Sequence, residues 1–484
     1  MTPPAARGVH CMRRGAEYRS GLRDGRVVFL HGEPVEDITA HPGFAPAIGT
    51  IASLYDGMAN RPDLVVDEEP DSYSAIWLTP LTPGDLLRRY RAHRYWAEGT
   101  FGLMGRTPDH VAALITAFAA RPDIFDRGGI GFGERVSAFY RQARANDWHL
   151  AAALTPPQID RSKPAHDQPE PFLYPGIVEE RDDGIVVRGA QMIGTSAAIA
   201  DWIFLSTFAL QPGDEDYAIS IVVPVATPGL RLYAREPYAT ERTTRFDSPL
   251  SSRFDESDSL VVLRDVLVPW EHVFVHRNPR LINAQFSESG AQILANHQTL
   301  IRFGVKMEFA AGLAIELADA HGMTDIPPVQ AQLGGDIAAF VAALEALVSA
   351  AGTHAVQRGQ LLIPSPKFVN AGISLQRRWV VDFMRSLREL AGGGFIAMPS
   401  GETFEAVETA DDVGRYYRSA TLSAHDRVAL LKAMWDLAGS EFAGRQLQFE
   451  MFSTSAQHIA DRQVFRSFDW ETGRAHVRRL LEGD

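Results

Sequence analysis

The sequence predicts an α+β chain, mostly α, built as helices, then a β region, then a helical bundle. Three observations carry that expectation. Apolar residues recur at helical spacing across residues 82–144, short β runs separated by turn residues fill residues 151–275, and helical spacing returns near residue 292. We therefore divide the chain into a mainly helical part (1–150), a middle β domain (151–278) and a C-terminal helical bundle (279–484). At 484 residues the chain exceeds what one hydrophobic core organises, so several packed units are expected.

The first part holds LLRRYRAHRYWAEGTFGLMG, VAALITAFAA and RVSAFYRQARAND, each with an apolar stripe. Thr107-Pro108-Asp109 reads as a helix start, with Thr as N-cap, Pro at the first helical position and Asp in the first turn. In the β region, Asp182-Asp183-Gly184 marks a hairpin between the runs 176–180 and 184–193. Further strands are expected at 217–225, 230–235 and 260–268, with a turn at Ala226-Thr227-Pro228-Gly229. The last part contains TLIRFGVKMEFAAGLAIELADAHG and RVALLKAMWDLAGSEFAGR, both helical in pattern.

Lys+Arg 47 against Asp+Glu 60 gives a net charge of −13, which disfavours nucleic acid and anionic membranes as partners. The single cysteine, Cys11, excludes an internal disulfide, a thiolate zinc cluster and an ordinary iron–sulfur site. No signal-peptide pattern opens the chain, and the apolar run 337–351 carries Glu345 and is too short to span a bilayer. A cytoplasmic protein is expected. There is no GxxxxGK[ST] loop; GGIGFG (128–133) follows no strand and lacks GxGxxG spacing, and no metal-ligand spacing occurs. A redox enzyme without a nicotinamide site would take its electrons from another protein.

Several blocks carry a family resemblance: GAEYRSGLRDGR (15–26), FGLMGRTPD (101–109), PQIDR (157–161), PLSSRFD (249–255) and MWDLAGSEF (434–442). They lie in order across nearly the whole chain. The chain resembles the oxygenase component of the 4-hydroxyphenylacetate 3-hydroxylase family, with features of its chlorophenol monooxygenase branch in GTSAAIADW (194–202) and ANHQTLIR (295–302). The resemblance implies an acyl-CoA dehydrogenase-like fold ending in a four-helix bundle, and a homotetramer or homodimer. It also implies a two-component monooxygenase: a separate flavin reductase supplies reduced FAD, O2 is the cosubstrate, and a C4a-hydroperoxyflavin hydroxylates a phenolic or related small aromatic substrate.

Arg106 precedes the Thr107 cap, and a guanidinium beside a helix N-terminus makes an anion site. By resemblance Arg106 binds the phenol oxygen; the plain alternative is a structural ion pair. His110 stands where the phenylacetate hydroxylases carry Tyr, offering an imidazole that can accept the phenol proton, or a histidine on a helix surface. The family's substrate-binding His aligns with Ala152, whose methyl can neither orient nor deprotonate a phenol. His297 is the replacement candidate for catalytic base, against the reading of a structural histidine. By resemblance Thr195 and Ser196 bond the flavin N5 region, and Gln158, Asp160 and Arg161 border the isoalloxazine. Arg302 reaches the FAD phosphates or forms a helix-to-helix ion pair, and residues 211–216 form a loop over the substrate. No metal is expected. The alternatives are an acyl-CoA dehydrogenase-like oxidoreductase, which needs a catalytic carboxylate, and a non-catalytic flavin-binding homologue. The related dehydratase chemistry is excluded by the lack of cysteine ligands.

Overall fold

The computed structural model describes residues 12–68, 71–239 and 244–482; Cys11 lies outside them. Three helices form the core of the first part: α1 (Pro83–Glu98), α2 (Pro108–Ala119) and α3 (Phe132–Asn146). The start of α1 is fixed by a capping box in which Thr82 and Asp85 satisfy each other's backbone N–H. Helix α2 is buried along nearly its whole length, from Pro108 to Phe118, which explains why its sequence is apolar on all sides.

The middle of the molecule is a ten-stranded mixed sheet. Its strands are β1 (Val28–Leu30), β2 (Glu33–Pro34), β3 (Leu150–Ala153), β4 (Gly176–Arg181), β5 (Gly184–Thr195), β6 (Trp202–Leu205), β7 (Ser220–Pro224), β8 (Leu230–Ala234), β9 (Asp258–Pro269) and β10 (Val273–Val275). The order is β10-β7-β6-β3-β5-β9-β8-β1-β2, with β4 also on β5. The β4–β5 hairpin turns at Asp182-Asp183, because Arg181 pairs with Gly184. Gly184 therefore sits inside the strand, where a Cβ would lie 2.2 Å from the Val268 carbonyl oxygen. Strands β1 and β2 come from the part expected to be mainly helical. They join the sheet through parallel pairing of β1 with β8. The β5–β9 ladder slips register between Ser259 and Val261, next to the Asp258–Thr195 pair.

The C-terminal part is organised around α4 (Ala291–Ala320), a 30-residue helix buried on most of its circumference. Around it lie α5 (Pro327–Thr353), α6 (Pro366–Ala391), α7 (Ala424–Ala438), α8 (Glu441–Phe452) and α9 (Gln457–Ser467). A π-helical turn at Leu333–Ala338 makes α5 continuous over 27 residues, longer than the run read from the sequence. By length and composition alone α5 could cross a membrane. In the fold it packs Phe340, Leu344 and Val348 inward and leaves most of its surface uncovered.

Candidate active site

The loop before α2 is pressed onto the C-terminal helices by two glycines. Gly102 has φ +67, and a Cβ there would lie 2.4 Å from the Arg302 carbonyl oxygen. A Cβ on Gly105 would lie 2.1 Å from the Phe449 ring, so only glycine lets that ring lie beneath Arg106. The Arg106 guanidinium sits 5.0 Å from the Phe449 centroid and donates to the carbonyls of Gly105 and Ser453, each at 3.2 Å. Among the described residues no carboxylate lies within ion-pair distance of it. Burial pulls its pKa down to about 10, so it stays cationic at neutral pH.

Part of the expected helix-terminus site is already used. The backbone N–H groups of Gly105 and Arg106 both donate to Glu256, at 2.8 Å each. Thr107 occupies the N-cap position, but its hydroxyl donates to Asp109 at 2.6 Å instead of capping the helix. The anion-binding capacity thus rests on the guanidinium.

Glu256 joins all three parts of the chain. Besides those two amides it accepts from the Ser196 hydroxyl at 3.3 Å and from Arg445 on α8 at 2.8 Å. Arg445 also grips Asp258, which accepts the Thr195 hydroxyl proton at 2.6 Å and is paired with Arg235. Burial opposes the Asp258 charge, but Arg445 and Arg235 hold its carboxyl well below the usual range. Thr195 therefore presents acceptor lone pairs. Ser196 is buried with φ +62, a left-handed conformation that a non-glycine residue adopts at a cost of about 1–2 kcal/mol. The structure brings Arg106, Thr195 and Ser196 together through one carboxylate and its neighbour.

His110 lies on the Arg106 side of α2 and bonds Gln298 Oε1 through Nδ1 at 3.1 Å. Burial first, then the Arg106 charge, pushes its pKa well below the ordinary histidine value, so the ring is neutral. Gln298 Nε2 donates to Asp109 Oδ2 at 3.1 Å, and His93 Nδ1 meets the same oxygen at 2.9 Å. His93 Nε2 faces the Arg89 guanidinium at 3.4 Å.

The other candidates are placed as follows. His297 is one position, about 100°, around α4 from Gln298. It lines a cavity of about 420 Å³ with residues of α1 and α5, neither Arg106 nor His110 among them, and it lies close enough to His93 and Arg89 to feel their charge. Its Nε2 is buried without a partner, and burial pushes its pKa to about 3. Arg302 is 1% exposed and bidentate to Glu450 on α8 at 2.6 and 2.8 Å, with a further bond to the Gly102 carbonyl. Lys306 shares Glu450 at 2.9 Å. Arg302 is thus committed to the helix-to-helix ion pair, and its terminal nitrogens are occupied instead of free for phosphate. Gln158 and Arg161 are exposed, while the Asp160 carboxylate is taken up by Ser162. The loop 211–216 is anchored by buried Asp214, which holds His166 at 2.7 Å. Ala152 lies on β3 beside Phe204 of β6.

Sequence reasoning missed Glu256, Asp258, Arg445, Gln298, His93 and Glu450. It also missed that His149, off by three residues from the family position, donates from Nε2 to the Arg106 carbonyl at 3.2 Å. Arg302 and Lys306, charges one turn apart in a largely apolar helical stretch, were the available signals of the Glu450 cluster.

The described polar groups also fit a large polar ligand. The hydroxyl oxygens of Ser453, Thr454 and Ser455, beside Arg106, are sealed from solvent with no partner, as is Arg377 Nε.

The family description "4-hydroxyphenylacetate 3-hydroxylase N terminal" matches residues 14–275, and its C-terminal counterpart matches residues 282–482. The chain belongs to the 4-hydroxyphenylacetate 3-hydroxylase family. It is 34% identical to the 4-hydroxyphenylacetate 3-monooxygenase oxygenase component of Thermus thermophilus, over 97% of each chain. It is 34% identical to a pyoverdin chromophore biosynthetic protein of Pseudomonas aeruginosa, covering 97% and 93%. It is 30% identical to the oxygenase component of a Rhodococcus 4-nitrophenol 2-monooxygenase, covering 90% and 85%. A crystal structure of the oxygenase component of 4-hydroxyphenylacetate 3-monooxygenase complexed with FAD superposes with TM-score 0.92 at 33% identity, covering 97% and 98%. An archaeal 4-hydroxybutyryl-CoA dehydratase superposes at TM-score 0.89 but 19% identity, over 98% and 96% of the chains, a likeness of fold alone.

Proposed function

We propose that the protein is the oxygenase component of a two-component, FAD-dependent monooxygenase that hydroxylates a phenolic ring, with reduced FAD delivered by a separate reductase. The observation that carries this is Arg106. It is a part-buried cation without a carboxylate partner among the described residues, beside a neutral imidazole and the Thr195–Ser196 corner. We place the enzyme in the cytoplasm as a homo-oligomer, a tetramer in the family's usual form.

Bound reduced FAD supplies the electrons that activate O2 for transfer of one oxygen atom to the ring. Thr195 and Ser196 would border the flavin ring, with Gln158, Asp160 and Arg161 at its edge. The unpartnered hydroxyls of 453–455 and Arg377 would serve its polar portions. The chain's own work is to hold the ring and exclude water. Arg106 binds the phenol oxygen and favours its anion, which makes the ring more electron-rich. His110 takes the hydroxyl proton, replacing the family histidine that is Ala152 here. The Phe449 ring below Arg106 and the apolar surround of α2 keep water from the reacting centre.

The dehydrogenase alternative needs a free carboxylate base. Glu256, Asp258 and Glu450 are each held by one or more cations, and Asp109 is taken up by Thr107, Gln298 and His93. The test is to mix enzyme with reduced FAD anaerobically, add O2 and a panel of phenols, and quantify hydroxylated product against hydrogen peroxide. Product from at least one phenol is expected. Peroxide alone across the panel, with reduced FAD demonstrably bound, would overturn the reading.

A further inference from the structure

The polar chain behind His110 determines which of its nitrogens faces the substrate. Its donors and acceptors follow from the groups at its ends that cannot reverse their roles. Arg89 only donates, so His93 Nε2 accepts at 3.4 Å and His93 Nδ1 carries the proton given to Asp109 at 2.9 Å. The Asp109 carboxylate only accepts, so the Gln298 amide must turn its NH2 toward it, at 3.1 Å. Gln298 Oε1 then faces His110 Nδ1 at 3.1 Å, and that nitrogen must hold the hydrogen. His110 Nε2 is left with its lone pair and no hydrogen-bond partner among the described residues. Asp109 is further pinned by the Thr107 hydroxyl at 2.6 Å, and Arg89 by the carbonyls of Ile76 and Leu78.

We propose that Gln298, oriented by Asp109 and His93, is a positioning residue that fixes His110 as the Nδ1–H tautomer and so presents Nε2 as the proton acceptor for the substrate hydroxyl. This rests on the phenol-hydroxylase reading above and deepens it. The step balances: the phenol O–H bond breaks, an Nε2–H bond forms, and the phenolate oxygen stays beside Arg106. The resulting imidazolium keeps its Nδ1–H bond to Gln298, whose amide is polarised by the Asp109 charge. The charged and titratable groups facing His110 are Arg106, Arg302 and His93. The two arginines keep the free ring neutral and its lone pair available, and the phenolate offsets them once the proton has moved. With Gln298 removed, the ring can adopt the opposite tautomer, which donates where an acceptor is needed.

The probe is 4-nitrophenol bound to the flavin-free enzyme, whose ionised form is read from its visible absorbance without any turnover. Wild type binds it with a larger anionic fraction than in solution at the same pH. Gln298→Met lowers the anion-to-phenol ratio of the bound ligand about tenfold, the worth of one hydrogen bond to a charged group. Gln298→Glu retains it, because a protonated carboxyl there donates to Asp109 and accepts from His110. His110→Phe serves as the reference. If His110→Phe lowers the ratio and folded Gln298→Met does not, the relay is overturned while the base reading stands. If His110→Phe matches wild type, or wild type binds no 4-nitrophenol, the base reading itself fails. Independently of how the Gln298 variants fold, nitrogen-15 shifts of labelled wild-type histidines, with His110 assigned by its loss in His110→Phe, report the tautomer. Protonated Nε2 in the free enzyme overturns the proposal.

Discussion

Replacing Glu256 by Gln tests the joint that holds Arg106 in place. Each carboxylate oxygen accepts two donors: Gly105 N–H and Arg445 at one, Arg106 N–H and the Ser196 hydroxyl at the other. Whichever oxygen becomes an NH2 group, two donors lose their acceptor, and Arg445 keeps only Asp258 to balance it. A hydrogen bond to a charged group contributes about 1.5–3 kcal/mol, so two lost contacts cost about 3–5 kcal/mol after some relaxation. The assay is urea unfolding followed by far-UV circular dichroism, with product per O2 consumed measured on the folded variant. The expected result is a clearly lower midpoint and poorer coupling, since the Arg106 backbone is no longer tied to the sheet. A stability within about 1 kcal/mol of wild type, with coupling unchanged, would refute the reasoning.

Two further outcomes follow from the same geometry. Gly105→Ala drives a methyl into the Phe449 ring, and should cost about 1–3 kcal/mol while shifting the support under Arg106, read as a lower unfolding midpoint together with weaker phenol binding. Acid should unfold the protein partly through Glu450. Burial alone would raise its carboxyl, but Arg302 and Lys306 hold it down at about 2, below its unfolded value. Its contribution is therefore complete above about pH 4.5 and lost as pH falls toward 2, and Glu450→Gln should flatten the fall of the urea midpoint in that window.

Much of the architecture was legible because it is local. The helical stripes of 82–144 and the Asp182-Asp183-Gly184 hairpin depend on neighbours in sequence, and both formed, the latter with its turn one residue earlier than the glycine suggests. Strands β1 and β2 were not legible: they are three and two residues long, and β1 finds its partner β8 some 200 positions away. The site shows the same division. Arg106, Thr195 and Ser196 stand in sequence blocks that carry the family resemblance. Glu256, Arg445 and Glu450 are single charges with no motif, and their meaning lies in partners about 150–190 residues distant. His297 was chosen on sequence grounds, yet it is Gln298, 100° further around the same helix, that meets His110. An amide carries no signal of its own until its two neighbours are known.

The most direct test of the central claim is Arg106→Ala, assayed for reduced-FAD binding and for product formed per O2 consumed with the best phenol. The account predicts flavin affinity within about threefold of wild type and product per O2 reduced at least about tenfold, with hydrogen peroxide making up the difference. Unchanged coupling in that variant would contradict it, because the cation beside His110 and the Thr195–Ser196 corner would then have no part in holding the ring.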